Sequence, residues 1–134
     1  MIVVDTSALV AIFCEEPDGV TFANRIAAEE SPVLSAGTLL ECSIVFRTLD
    51  RRVRRPSDAE LDEFLAASNV TIRPVTVEQI DIARAAHRRY GKGMGHPAQL
   101  NFGDCFSYAL AKSLNVPLLY KGGDFGKTDI VSAL

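Results

Sequence analysis

The chain has no tryptophan, only two histidines and only three cysteines, and each scarcity excludes some chemistry. Cys14, Cys42 and Cys105 are widely spaced and form no CxxC pair, and their odd count argues against a disulfide framework. They read as small buried thiols in a reducing compartment. His87 and His96 are too few and too far apart for a zinc site, and no GxSxG-type elbow supports a histidine triad. Long apolar runs are also missing, which excludes a membrane span. The N-terminal Met1-Ile2-Val3-Val4-Asp5 has no basic stretch before its apolar run, so no signal peptide is expected and a cytoplasmic location is. A basic excess is absent too: the formal net charge is −3, against the habit of nucleic-acid binders. An acidic total still suits an enzyme whose acids hold a cation while its bases cluster elsewhere. One such cluster is Arg47, Arg51, Arg52, Arg54 and Arg55.

What is present fits one globular domain spanning 1–134, with 48% hydrophobic and 23% charged residues. Ile2 to Val4 reads as a short buried strand, and Asp5-Thr6-Ser7 caps a helix holding Ala8 to Phe13. Pro17 reads as the first-turn proline of a second helix, whose apolar positions are Val20, Phe22, Ala23, Ile26 and Ala27. Pro32 to Ser35 is a second strand, and Gly37 to Arg52 a longer helix. Ser57-Asp58-Ala59-Glu60 is a capping box for a helix with Leu61, Phe64 and Leu65 on its apolar face. Val70 to Pro74 reads as a strand, and Thr76 caps a helix carrying Ile80, Ile82, Ala83 and Ala86. Gly91 to Pro97 is expected to be a mobile loop. Asn101 caps the helix Phe102 to Leu114, Pro117 to Tyr120 is a strand, and Ile130-Val131 is a candidate last strand. Short apolar strands alternating with helices predict a three-layer α/β/α domain with a short, largely parallel sheet.

Four acids stand where such folds place their chemistry, outside the carboxyl ends of strands. Asp5 directly follows the first strand, and Thr6 or Ser7 could cap the helix in its stead. Glu41 has Ile44 and Val45 at i+3 and i+4, beside an apolar stripe that ionised carboxylates avoid unless paired or bound to a cation. Asp104 lies in the first turn of an almost wholly apolar helix, where it suits the helix dipole and an Asn-x-x-Asp cap. Gly103 before it would let a ligand or backbone approach closely. Asp124 follows the last clear strand through a glycine turn. Each acid alone has a structural explanation, but together they suit Mg²⁺ or Mn²⁺, hard cations around which carboxylates will crowd. Such a site can activate water and stabilise charge on a phosphodiester.

Three segments carry a family likeness: Ile2-Val3-Val4-Asp5-Thr6-Ser7-Ala8-Leu9 with Leu40-Glu41, the run Leu100 to Ala111 around Asn101-Phe102-Gly103-Asp104, and Leu119 to Ile130. In order and almost end to end, the chain resembles PIN-domain ribonucleases, specifically the VapC-type toxins of bacterial toxin–antitoxin pairs. The resemblance implies a Mg²⁺- or Mn²⁺-dependent endoribonuclease acting on RNA, usually a homodimer, inhibited by a cognate VapB-type antitoxin. It gives Asp5, Glu41 and Asp104 the three central acid positions, with Asp5 and Asp104 as metal ligands. Thr6 or Ser7 becomes the hydroxyl near the metal. Asp124 is the choice for the fourth acid and Asp129 a structural or secondary residue; Gly123 leaves that corner with fewer acids than some relatives have. Arg51 and Arg52 are candidate contacts to RNA or to the antitoxin. Two other readings are a phospho-acceptor signalling domain, which would want an aspartate after a mid-chain strand, and a degenerate domain that only binds.

Overall fold

Alternation along three short strands sets the layers. In β1 (Ile2–Val4), Ile2 and Val4 point to one side of the sheet and Val3 to the other. Leu34 and Val33 divide in the same way in β2 (Pro32–Ser35), as do Leu119 and Leu118 in β4 (Leu118–Leu119). The computed structural model describes all residues 1–134. On the side of Ile2, Val4, Leu34 and Leu119 lie α1 (Thr6–Phe13), α2 (Gly19–Ala27), α3 (Ala36–Arg47) and α4 (Asp58–Ala67). These helices contribute Leu9, Phe22, Ile26, Phe46, Leu61 and Leu65 to one core. On the other side α5 (Val77–Tyr90) and α6 (Phe102–Leu114) enclose Val3, Val33 and Leu118 with Tyr90, Tyr108 and Leu110. Both faces of β1 are thus covered, as its unbroken apolar sequence requires. The result is the expected α/β/α sandwich.

The sheet is parallel throughout and runs β3-β2-β1-β4, with β3 at Thr71–Arg73. The chain steps outward from β1 through β2 to β3, then crosses to β4 on the far side of β1. The strand order therefore reverses between β1 and β4, and a crevice opens at their carboxyl ends. Asp5 and Asp124 follow those two strands.

Several local expectations are met and some are corrected. Ser57 and Glu60 form the reciprocal capping box, and Asn101 with Asp104 forms another. Asp5, rather than Thr6 or Ser7, is the N-cap of α1; its carboxylate accepts the Ser7 N–H, and both hydroxyl residues lie inside the helix. Pro17 precedes the N-cap Asp18 instead of entering the first turn of α2. The close approach falls to Gly19, where a Cβ would come within 2.5 Å of the Ala11 carbonyl oxygen. The helix expected to reach Arg52 stops at Arg47. Beyond it the chain turns: the Arg55 guanidinium donates to the Leu49 carbonyl and Arg52 binds the Asp50 carboxylate. The loop after α5 is closed at its neck, where Leu100 N–H donates to Tyr90 and Lys92 N–H to Leu100. The expected last strand reduces to one parallel bridge between Leu118 and Ser132. No helix is long and apolar enough to cross a membrane.

Candidate active site

Four elements deliver the acids to the β1/β4 crevice. Asp5 comes from the β1–α1 junction and is only 2% exposed. Its Oδ2 accepts the Ser7 N–H at 2.9 Å and the Ser7 hydroxyl at 2.7 Å, and its Oδ1 accepts the Ser107 hydroxyl at 2.6 Å. With the Ser107 proton committed to Asp5, the Thr38 hydroxyl 3.0 Å away must be the donor to Ser107. A buried relay, Thr38 to Ser107 to Asp5, thus joins α3, α6 and the end of β1. Burial of a carboxylate is tolerable here because three donors face it.

Glu41 projects from the second turn of α3, and its Oε1 accepts the Thr6 hydroxyl at 2.5 Å. As expected, Glu41 lies beside an apolar stripe: Leu40, Ile44 and Val45 border the same groove, although Ile44 is exposed and the buried face of α3 is formed by Thr38, Cys42, Ser43 and Phe46. Its carboxylate lies across the start of α6: a Cβ on Gly103 would fall 1.2 Å from its Oε2. Gly103 makes room for this side chain, not for a ligand or backbone. Burial raises the Glu41 carboxyl above its usual range, the Thr6 hydroxyl opposes this, and the Asp5 charge raises it further.

Asp104 occupies the first turn of α6, where its Oδ2 accepts the Asn101 N–H at 2.9 Å. Burial pushes its carboxyl up to about 7, against the pull of that N–H, and the charges of Asp5, Glu41 and Asp124 push the same way. Asp124 is exposed, precedes a short 3₁₀ turn (Phe125–Lys127) and makes no side-chain cap bond. It follows β4 through the glycine turn, and its charge is one of those that raise the Asp104 carboxyl. Asp129 is elsewhere: it accepts the Tyr108 hydroxyl at 2.6 Å and Lys112 Nζ at 3.0 Å, tying the C-terminal segment to α6.

None of the chain's ion pairs reaches Asp5, Glu41, Asp104 or Asp124. The nearby Lys121 gives its N–H to the Ser7 hydroxyl at 2.9 Å, but its Nζ turns to Glu16 and Asp18 at 2.7 and 2.9 Å. The carboxylates do not converge into a ready-made three-ligand cage. An all-oxygen, uncompensated and open donor set of this kind fits Mg²⁺ or Mn²⁺, which Mg²⁺ sites commonly bind through one or two carboxylates plus water. It does not fit zinc, and the thiols are no alternative: burial first of all pushes Cys42 up to about 12 and Cys105 to about 11. Cys14 is only half-buried, less than expected.

Sequence reasoning missed Ser107 and Thr38, whose polarity in the interior of helices was the available sign. The arginine segment is largely self-neutralised. Arg47 pairs with Asp58, Arg52 with Asp50 and Arg54 with Glu60, while Arg51 is exposed and makes no ion pair. No aspartate follows β3, which ends at Arg73-Pro74, so the acceptor wanted by a phospho-acceptor domain is missing.

Comparison with known proteins agrees with this fold. Residues 2–131 match the PIN domain family. The VapC ribonuclease Mb0625 of Mycobacterium bovis is 46% identical, over 98% of this chain and 97% of that protein. A ribonuclease VapC of Mycolicibacterium smegmatis is 45% identical, over 97% of this chain and 98% of its own. Among solved structures, the Mycobacterium tuberculosis toxin VapC20, described as cleaving the sarcin–ricin loop, superposes with a TM-score of 0.72 at 19% identity, covering 98% of this chain and 97% of that one. A toxin–antitoxin complex from Klebsiella pneumoniae superposes with a TM-score of 0.69 at 16% identity, covering 100% and 98%. From β1 through the acid-bearing start of α6 to the glycine turn after β4, this chain is a VapC-type member of the PIN-domain family.

Proposed function

We propose that the protein is a Mg²⁺- or Mn²⁺-dependent endoribonuclease, the toxin of a VapBC-type pair, with Asp5, Glu41, Asp104 and Asp124 as its catalytic acids. The observation that carries this is three carboxylates brought together from separate elements, Glu41 bonded to Thr6 beside Asp5 and packed on Gly103 beside Asp104, with none of the three in an ion pair. The names of the 45–46% identical relatives support ribonuclease activity. When bound, a divalent cation would lower the pKa of water and stabilise charge on the phosphodiester. Asp5 and Asp104 are its proposed ligands. Asp5 is held rigid by Ser7 and Ser107, with one lone pair of Oδ1 still free. Asp104 spends only Oδ2 on Asn101, which leaves Oδ1 without a hydrogen-bond partner and available to a cation. Glu41, steadied by Thr6, is the candidate to orient water. Asp124 stands at the solvent side of the cluster.

The proposal extends to partners. The antitoxin complex among the structural neighbours supports a VapB-type inhibitor, and Arg51 and Arg52, exposed on the loop after α3, are candidate contacts to it or to RNA. Leu40 (60% exposed) and Ile44 (48%) stand one turn apart on α3 and supply an apolar face for a homodimer. The central test is cleavage of total cellular RNA by chelator-treated protein, with and without Mg²⁺ or Mn²⁺, and sequencing of the ends. Metal-restored cleavage that Asp5→Asn abolishes is the expected result. No carboxylate-dependent cleavage with either metal would leave a binding-only domain.

A further inference from the structure

We infer that Thr38 and Ser107 are positioning residues: their hydroxyls fix the Asp5 carboxylate against α6, so that metal affinity is set partly from α3, outside the acid cluster. The assignment rests on the metal-dependent reading of that cluster and names what tunes it. The cap of α1 needs only one oxygen of Asp5, because Oδ2 takes both the Ser7 N–H and the Ser7 hydroxyl. Oδ1 takes no part in the cap, yet it receives the Ser107 hydroxyl at 2.6 Å. That donor occupies one lone pair of Oδ1 and fixes the direction of the other. Ser107 stands three residues after Asp104, on the same side of α6. One rigid helix therefore carries one proposed ligand and holds the other in place.

Packing alone does not call for the two hydroxyls. Ser107 and Thr38 are each 0% exposed, and apolar residues of similar size would join α3 to α6 without burying polar groups. Other hydroxyls on these helices, or at their ends, bond back to the carbonyl three residues earlier. Ser113 donates to Leu110 and Thr48 to Val45, both at 2.9 Å. Thr38 and Ser107 instead meet each other at 3.0 Å across two helices. Side chains this short touch only where helices approach closely, and two glycines allow it. A Cβ on Gly37 would come within 2.5 Å of the Phe106 ring, and one on Gly103 would fall 1.2 Å from Glu41 Oε2. Gly37 and Phe106 are the chain neighbours of Thr38 and Ser107. The close contact of α3 and α6 thus serves the hydroxyl pair, and the pair serves Asp5. Thr38, as the donor, leaves Ser107 its proton for Asp5 alone. Groups that hydrogen-bond a ligating carboxylate typically change metal affinity by about ten- to a hundredfold.

The test is Mn²⁺ affinity, read from the electron paramagnetic resonance signal of free Mn²⁺ titrated into full-length, metal-free protein. Asp5→Asn should remove the binding and so defines the site. Ser107→Ala should weaken binding about tenfold or more. Thr38→Val keeps the shape of the side chain but removes the hydroxyl, and should weaken binding at least about threefold. Thr38→Ser removes the methyl but keeps the hydroxyl, and should bind within about twofold of the parent. This contrast holds even if Ser107→Ala does not fold, and melts in EDTA establish that each variant is folded. Adding Thr38→Val to Ser107→Ala should cost less than about twofold more, since the relay acts through Ser107. Equal affinities in Thr38→Val and Thr38→Ser overturn the inference, as does parent-like binding by Ser107→Ala or a full extra loss in the double variant. A parent with no Asp5-dependent Mn²⁺ binding refutes the metal site itself, and the role of the relay with it. Asp5-dependent binding that ignores the Thr38 hydroxyl refutes the relay alone.

Discussion

Asp104→Asn should stabilise the metal-free protein at pH 8 and do so about fourfold less at pH 4.5. Burial first, then the charges of Asp5, Glu41 and Asp124, lift the Asp104 carboxyl to about 7, while the Asn101 N–H opposes the rise. A folded value above the unfolded one means that protonated Asp104 contributes its full stability below pH 4. That contribution drains away as pH climbs through 7, because the folded state must give up a proton it holds tightly. The gap of about three units corresponds to a ceiling of about 4 kcal/mol at 1.36 kcal/mol per unit. Asp104 is half-buried, so solvent screens part of this, and about 2 kcal/mol is the working figure. For 134 residues the unfolding entropy is about 0.28 kcal/mol/K, so the melting temperature at pH 8 should rise by about 7 °C. Asparagine retains an acceptor for the Asn101 N–H, so the capping box survives the substitution. Thermal melts followed by circular dichroism in EDTA, from pH 4.5 to 8.5, measure the effect. An equal shift at both ends of that range, or a lower melting temperature at pH 8, refutes the raised Asp104 carboxyl.

Gly103→Ala should keep the metal-free melting temperature or raise it, since alanine favours a helix, yet cost about tenfold or more in RNA cleavage by displacing Glu41; cleavage at the parent's rate would show that Glu41 need not lie there. Asp5→Asn should lower cleavage by about a hundredfold or more in Mg²⁺-restored buffer, because it removes a proposed cation ligand while asparagine still caps α1; full activity in a chelator-treated, metal-restored assay contradicts the mechanism. Mg²⁺ binds only the native state, so it should raise the wild-type melting temperature more than that of Glu41→Gln, and equal shifts would count against a shared site. Leu40→Arg should leave the melting temperature within about a degree but convert a dimer to monomers in light scattering, and a persisting dimer would move the interface off α3.

What the sequence disclosed about this molecule divides by the range of the interaction. The caps at Ser57 and Asn101 were legible because both partners lie within one turn. The layers were legible because Ile2-Val3-Val4 is apolar without interruption, which demands cover on both faces. The candidate acids were found one by one at strand ends and helix starts, but nothing local could say what Gly103 accommodates. That answer is the carboxylate of Glu41, which arrives from another helix. Ser107 was hidden for the same reason: in an apolar helix a serine looks incidental until Asp5 and Thr38 are brought to it from distant segments. The arginines show the sharpest divergence. Counting charges along the chain favours the run from Arg47 to Arg55, yet folding pairs three of these with acids of α4 and of the turn before it. The cations left without an ion pair include Arg51 of that run and the arginines of α5, where the sequence shows a helix end with a helix end's ordinary bases. Available charge, unlike formal charge, is decided only when the acids have chosen partners.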